Sequence, residues 1–240
     1  MESIYEVPAL PFMNVAIIVA AGKGTRMGRD KLWMEVHGVP IVGHTWRTFD
    51  RSEVIDQVVL VVREESQQAF RDLAEQIQVQ KPFHFAPGGS ERQDSVWNGL
   101  QCCPEDCDLV AIQDAARPCT HPSHIRACIE AGGKYGAVVA AQKVTDTLKR
   151  VGGGLTIQST VDREGLWSVQ TPQVFRVDVI RKAMQSVRDQ GLIVTDDTAA
   201  CESIGCSVKV VSGDHPNPKV TYPGDLPYIS WLLANLDGGV

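Results

Sequence analysis

An α/β fold, a three-layer Rossmann-like sandwich with a mostly parallel mixed sheet and a protruding β-arm, is predicted for this 240-residue chain by three observations. Short runs rich in Val and Ile alternate with amphipathic stretches. Small and charged residues gather where the apolar runs end, and one long segment breaks the alternation altogether. Strands are expected at 14–20, 57–62, 82–86, 108–113, 137–141 and 207–211, each short enough for a buried sheet position. Helices are expected at 41–49, 65–76, 91–100, 123–131, 177–189 and 197–203, where apolar residues recur at helical spacing. Such alternation implies right-handed crossovers, with ligands beyond the carboxyl ends of the strands.

The first strand runs straight into "AAGKGTRMGRDK", which holds Gly22, Gly24 and Gly28 together with Lys23, Arg26, Arg29 and Lys31. A dinucleotide fingerprint would need glycine where Met27 stands, and the spacing of a Walker loop is absent. What remains is a glycine-loosened turn whose backbone N–H groups can approach an anion that the cations neutralise. The third strand ends in "PGGSERQDS" and the fourth in "QDAARP". Ordinary turn and cap chemistry accounts for Gly88, Gly89 and Ser90, but not for Arg26, Lys31, Asp114 and Arg117 converging at one end of the sheet. Asp114 alone is also a fair turn or cap residue.

The segment 143–165 reads as a hairpin arm, with 147–150 and 155–160 extended around Val151-Gly152-Gly153-Gly154. Two strands alone are marginal in water, so the arm needs support from a partner subunit or from its own active site as a lid. One domain over 14–240 is expected after a tail at 1–13. With 43% hydrophobic residues and no apolar run of spanning length, membrane insertion is not expected. Glu2 and Glu6 do not suit a signal peptide, which points to a cytoplasmic protein. A net charge of −6 opposes broad nucleic-acid binding. Seven cysteines without scaffold spacing read as reduced thiols, and "QCCPEDCD" acquires no role. Cys119, His121, His124 and Cys128 could suit zinc, but Pro122 marks a helix start among them, and magnesium held by carboxylate and phosphate is the better expectation.

Taken in order, "AAGKGTRMG", Asp30-Lys31, "GGSERQDSV", "DAARP", "VTDTLKR", "VDREGLWSVQTPQVF", "TDD" and "NPKVT" closely resemble the 2-C-methyl-D-erythritol 4-phosphate cytidylyltransferases, from about residue 14 to about 233. "DAARP" followed by "VDREGLW" and "TPQVF" is the specific part. The resemblance implies a nucleotidyltransferase of non-mevalonate isoprene biosynthesis. It would join CTP to 2-C-methyl-D-erythritol 4-phosphate with Mg²⁺ or another divalent cation, giving 4-diphosphocytidyl-2-C-methyl-D-erythritol and pyrophosphate. It further implies that Arg26 and Lys31 stabilise the transition state, and that Ala20, Ala21, Gly22, Gly24, Gly89, Ser90 and Ser95 meet the nucleotide. Asp114 would place the metal and the ribose. Arg163 and Lys219 would hold the substrate phosphate, with Thr147, Arg117, Thr171 and Thr195 nearby.

The same resemblance implies a homodimer in which the arm crosses to the other subunit and completes its site. A salt bridge of Arg163 with Asp162 or Glu164 is the structural alternative, but an exposed pair contributes only about 0–1 kcal/mol and gives little reason by itself for an arginine there. The attacking phosphate monoester has a second pKa of about 6, so no side-chain base is required. Asp30-Lys31-Leu32 stands where Pro-Lys-Gln is frequent, and Ser90 where an acid is common, which leaves loop closure and the ribose contact open. A cytidylyltransferase for ribitol 5-phosphate is the nearest alternative. A non-catalytic CTP-binding regulator, or an assembly protein using the arm, is the alternative of another class.

Overall fold

The computed structural model describes residues 13–22 and 30–235. Its central sheet has seven strands: β1 (Met13–Val19), β4 (Gln57–Val62), β5 (Phe83–Pro87), β6 (Cys107–Asp114), β7 (Ala137–Lys143), β10 (Trp167–Arg176) and β11 (Lys209–Ser212), in the order β11-β7-β10-β6-β1-β4-β5. Helices α1 (Ile41–Asp50), α2 (Gln67–Ile77), α3 (Arg92–Gln101), α4 (Pro122–Tyr135), α5 (Val177–Asp189), α6 (Asp197–Ser203) and α7 (Leu226–Asn235) cover it. A short hairpin, β2 (Glu35–Val36) and β3 (Val39–Pro40), precedes α1, and β8 (Leu148–Val151) pairs antiparallel with β9 (Ile157–Val161) as a separate arm.

Side-chain alternation along β1 makes the layers. Ala16 and Ile18 join a core with Trp46, Phe49, Phe70 and Ile229, whereas Val15 and Ile17 join Leu100, Phe175 and Met184 on the other face. Gly99 lets α3 settle on that second face, because a Cβ there would stand 2.6 Å from Ile17 Cγ2. Among the described residues no helix is long and apolar enough to cross a membrane.

The α/β sandwich and its mixed sheet agree with expectation, with five corrections. Strand β10 runs antiparallel between β6 and β7 and was not foreseen, because "WSVQTPQVFR" contains Pro172 and lacks clear alternation. Its pairing with β7 shifts register between Val169 and Gln173, so the proline lies in an irregularity where no ladder N–H is required. Helix α4 extends past 131 because Gly132 packs inside it, 2.6 Å from Val174 Cγ1 if given a Cβ, and the stop falls at Gly136 with φ 81°. The β2–β3 hairpin is too short for periodicity; its turn has positive φ at both His37 and Gly38. Helix α7 also went unpredicted, as its nearly continuous apolar run "LPYISWLLAN" shows little alternation. In the arm, Leu155 (φ 58°) belongs to the turn, and β9 begins at Ile157.

Candidate active site

Three strand ends meet as the glycine and charge pattern requires. After β1, the Ala20 N–H donates to Val61 O at 2.8 Å, and Ala20 is buried. A Cβ on Gly88 would lie 2.4 Å from Ala21 Cβ, so the loops after β1 and β5 are in direct contact. Gly22 beside them is exposed. Gly89 N donates to the buried Ser95 Oγ at 3.0 Å. Ser90 Oγ donates to Asp94 Oδ2 at 2.6 Å, and Asp94 with Glu91 forms the capping box of α3. The Ser90 hydrogen bond, helped by the Glu91 N–H and Arg188 against partial burial, holds the Asp94 carboxyl below the usual carboxylate range.

Asp114, the last residue of β6, is the centre of charge. Its Oδ2 is 2.8 Å from Lys219 Nζ and 3.7 Å from Arg117 Nε, and its Oδ1 is 3.5 Å from Arg92 Nε. Burial is the largest influence and favours the neutral acid, but Lys219, Arg92 and Arg117 together outweigh it and lower the pKa. Its N–H donates to the hydroxyl of buried Thr171 at 3.1 Å.

The segment 217–220 is stitched to the same loop. Arg117 Nη1 donates to Asn217 O at 2.7 Å, Asn217 Nδ2 donates to Thr171 O at 2.8 Å, and Val220 N donates to Ala116 O at 2.8 Å. Lys31 reaches the far side of this segment, donating from Nζ to Val220 O at 2.7 Å. Lys31 therefore reaches Val220 of the strap, whose neighbour Lys219 pairs with the Asp114 carboxylate.

Behind Asp114, Arg92 grips Asp197 with both prongs, Nη1 to Oδ1 at 3.0 Å and Nη2 to Oδ2 at 2.8 Å. The Asp197 side chain is only 1% exposed. Burial works against the charge on Arg92, but Asp197 and Asp114 more than compensate and raise its pKa. On Asp197, burial pushes upward against the pull of Arg92. Both shifts are upward, which favours the charged Arg92 but the neutral Asp197, and the two-pronged geometry supports the ionised pair.

Thr195 is exposed, one residue before Asp196, whose Oδ1 caps α6 by accepting from Ala199 N at 3.0 Å. Thr147 and Arg163 are exposed on the arm, and among the described residues no hydrogen bond or ion pair joins them to Asp114. Arg163 Nη1 donates to Thr145 O rather than pairing with Asp162 or Glu164. Gly24 and Arg26 lie outside the described residues. Arg92, Asp197 and Asn217 carry no sequence signal of a role, because a buried, paired polar group is a property of the fold.

Among the described residues no group of three or more His, Cys, Asp or Glu side chains could cage a metal. Cys119 and Cys128 are buried thiols pushed up to about 12, and His124 Nε2 faces Val211 O at 3.3 Å. The donor set at Asp114 fits a magnesium ion shared with phosphate oxygens, which needs only one or two protein carboxylates.

The family model for IspD, 2-C-methyl-D-erythritol 4-phosphate cytidylyltransferase, matches residues 14–235. Proteins of that name from Geobacillus kaustophilus (strain HTA426) and Pelotomaculum thermopropionicum (strain DSM 13744 / JCM 10971 / SI) are similar in sequence. The first is 39% identical over 222 residues, covering 92% of this chain and 96% of the relative. The second is 40% identical over 226 residues, covering 93% and 95%. The crystal structure of 4-diphosphocytidyl-2C-methyl-D-erythritol synthase from Anaerococcus prevotii DSM 20548 is similar in fold, with a TM-score of 0.82 and 29% identity over 93% of this chain and 97% of that one. On a family match that spans the whole described sheet and its strand-end loops, this chain belongs to the 2-C-methyl-D-erythritol 4-phosphate cytidylyltransferase family.

Proposed function

We propose that this chain transfers the cytidylyl group of CTP to 2-C-methyl-D-erythritol 4-phosphate, forming 4-diphosphocytidyl-2-C-methyl-D-erythritol in non-mevalonate isoprenoid biosynthesis. Family membership supports the reaction. The observation that carries the site is the meeting of Lys31 and Lys219 at one strap beside Asp114. In the reaction an oxygen of the alcohol phosphate attacks the α-phosphorus of CTP, a new P–O bond forms, and the bond to the β-phosphate breaks with its electrons leaving on pyrophosphate. The nucleophile is an anion already, so the protein need not remove a proton. What it must do is hold two anions together and stabilise the charge that grows on the α-phosphate oxygens.

Lys31 serves that charge. Lys219, a point charge on a flexible stem, turns from Asp114 to the incoming substrate phosphate, while Arg117, fixed to Asn217 O, keeps its place. Asp114 would hold Mg²⁺ together with the nucleotide phosphates. When bound, the ion neutralises phosphate charge and orients the pyrophosphate leaving group. The Gly89 N–H is already donated to Ser95 Oγ, which leaves the Gly89 carbonyl to accept from the cytosine amino group. Uracil presents an acceptor there, and two facing acceptors leave a polar group unpaired, a penalty of about 1–3 kcal/mol.

Incubation with CTP and the alcohol phosphate should release pyrophosphate and yield the CDP-linked product by mass, with kcat/KM for CTP exceeding that for UTP by about tenfold or more. Faster turnover of ribitol 5-phosphate would transfer the assignment to that substrate, and no pyrophosphate from any alcohol phosphate would defeat it.

The protein works as a cytoplasmic homodimer in this reading. Leu155 is 89% and Ile157 61% exposed on a two-stranded arm that lacks a core of its own, which supports exchange of arms between copies. Thr147 and Arg163 would then serve the partner's site. Arg163→Ala and Lys31→Ala would damage different sites, so mixing the two inactive proteins under subunit exchange should restore activity, to at most about half per heterodimer. Verified heterodimers without recovery would instead make the arm a lid over its own chain.

A further inference from the structure

We propose that Asp30 and Arg63 are positioning residues that clamp Lys31 for the transfer, an inference that rests on the role given to Lys31 above. Asp30 divides its carboxylate between two tasks. Its Oδ1 accepts from Leu32 N at 3.1 Å, capping the single helical turn Lys31–Trp33, and its Oδ2 accepts from Arg63 Nη2 at 2.8 Å. Arg63 directly follows the last residue of β4, so the guanidinium belongs to the end of a buried central strand. Its other prong lies 3.7 Å from the exposed Glu65. A half-exposed ion pair of this kind contributes little to stability, so its geometry calls for another account.

On the other side, the chain is anchored by packing. Leu32 is buried in the core, and the Trp33 ring meets Phe70 edge-on at 5.1 Å between centroids. Lys31 is thus held between a polar tether and an apolar anchor, while its Nζ rests on Val220 O. A lysine stem has many rotamers, and a charge that must meet a transition state has to arrive from a fixed backbone. Without the tether the turn could rotate about the Leu32 anchor and carry the ammonium away from the strap.

The backbone at Asp30 offers a direct test. Its φ of −68° lies in the range that proline imposes, and among the described residues none accepts from its N–H. Asp30→Pro should therefore fix by ring geometry what the carboxylate fixes by hydrogen bonds. With CTP and the alcohol phosphate, Asp30→Ala and Arg63→Ala should each lower kcat by about tenfold with little change in the KM for CTP, and the double variant should be no worse than either. Asp30→Pro should keep most of the activity, and Arg63→Ala should have little further effect in that background. Independent, additive losses, or losses in KM alone, would overturn the clamp.

A second measurement does not depend on turnover. In protein reductively methylated with ¹³C, the Lys31 dimethyl resonance should sharpen in Asp30→Ala and Arg63→Ala and stay broad in Asp30→Pro. A resonance unaffected by Asp30→Ala would overturn the positioning role. A wild-type protein with a broad, restrained Lys31 signal but no cytidylyl transfer would instead locate the failure in the proposed reaction.

Discussion

Replacing Lys31 with alanine is expected to lower kcat by at least about a hundredfold while CTP binding weakens much less, because a donor aimed at developing charge contributes several kcal/mol to the transition state. The geometry favours this split. Lys31 Nζ donates to a backbone carbonyl, which holds the ammonium beside the strap in the free enzyme. In the proposed reaction the ground-state nucleotide contacts would come from other groups, the backbone after β1 and the Gly89–Ser95 turn. Steady-state kinetics combined with a separate CTP titration measure both quantities. Near-normal kcat with much weaker CTP binding would make Lys31 a ground-state binder.

Asp197→Ala should be the most damaging change to stability among the site residues, at roughly 3 kcal/mol, the lower end of what removing one partner of a buried ion pair brings about. The lower end applies because the Arg92 side chain remains 29% exposed and can still lean on Asp114. The loss comes from an orphaned guanidinium rather than from the value of the pair itself, so Arg92→Met in the same background should recover much of it. Urea midpoints for the wild type, the single and the double variant decide this. A loss under about 1 kcal/mol would mean that water reaches Arg92 and that the pair is a surface feature.

The sheet was legible wherever both faces of a strand are covered, since buried strands such as β4 are apolar along most of their length, here Val58–Val62. It was illegible at β10, where Pro172 and the polar Gln170, Thr171 and Gln173 are buried against partners the sequence does not name. Gln173 Nε2 donates to Asp196 Oδ2 at 3.0 Å, and Asp114 N to Thr171 Oγ1. The candidate site divides in the same way. Asp114, Arg117 and Lys31 were legible because charge beside a strand end has few structural uses, whereas Lys219 was legible only through the family resemblance. Arg92 and Asp197 were not, because at the first positions of α3 and α6 they look like other charged residues of a helix start. Their pairing across 105 positions exists only once α3 and α6 are in place.

The strap at Asn217–Val220 has a consequence for how the protein reaches its working form. Lys31 meets Val220 across 189 positions, and Asp114 meets Lys219 across 105. Contacts of such span carry a large loop-closure penalty and form late, after local helices and neighbouring strands have settled. A chain growing from its N-terminus can lay down β1, β4 and β5 early, since these pair without help from the second half of the sequence. The lysine strap must wait until the segment at 217–220 has been made. A chain that stops short of it would possess much of the scaffold while lacking the lysine pair on which the proposed transfer depends.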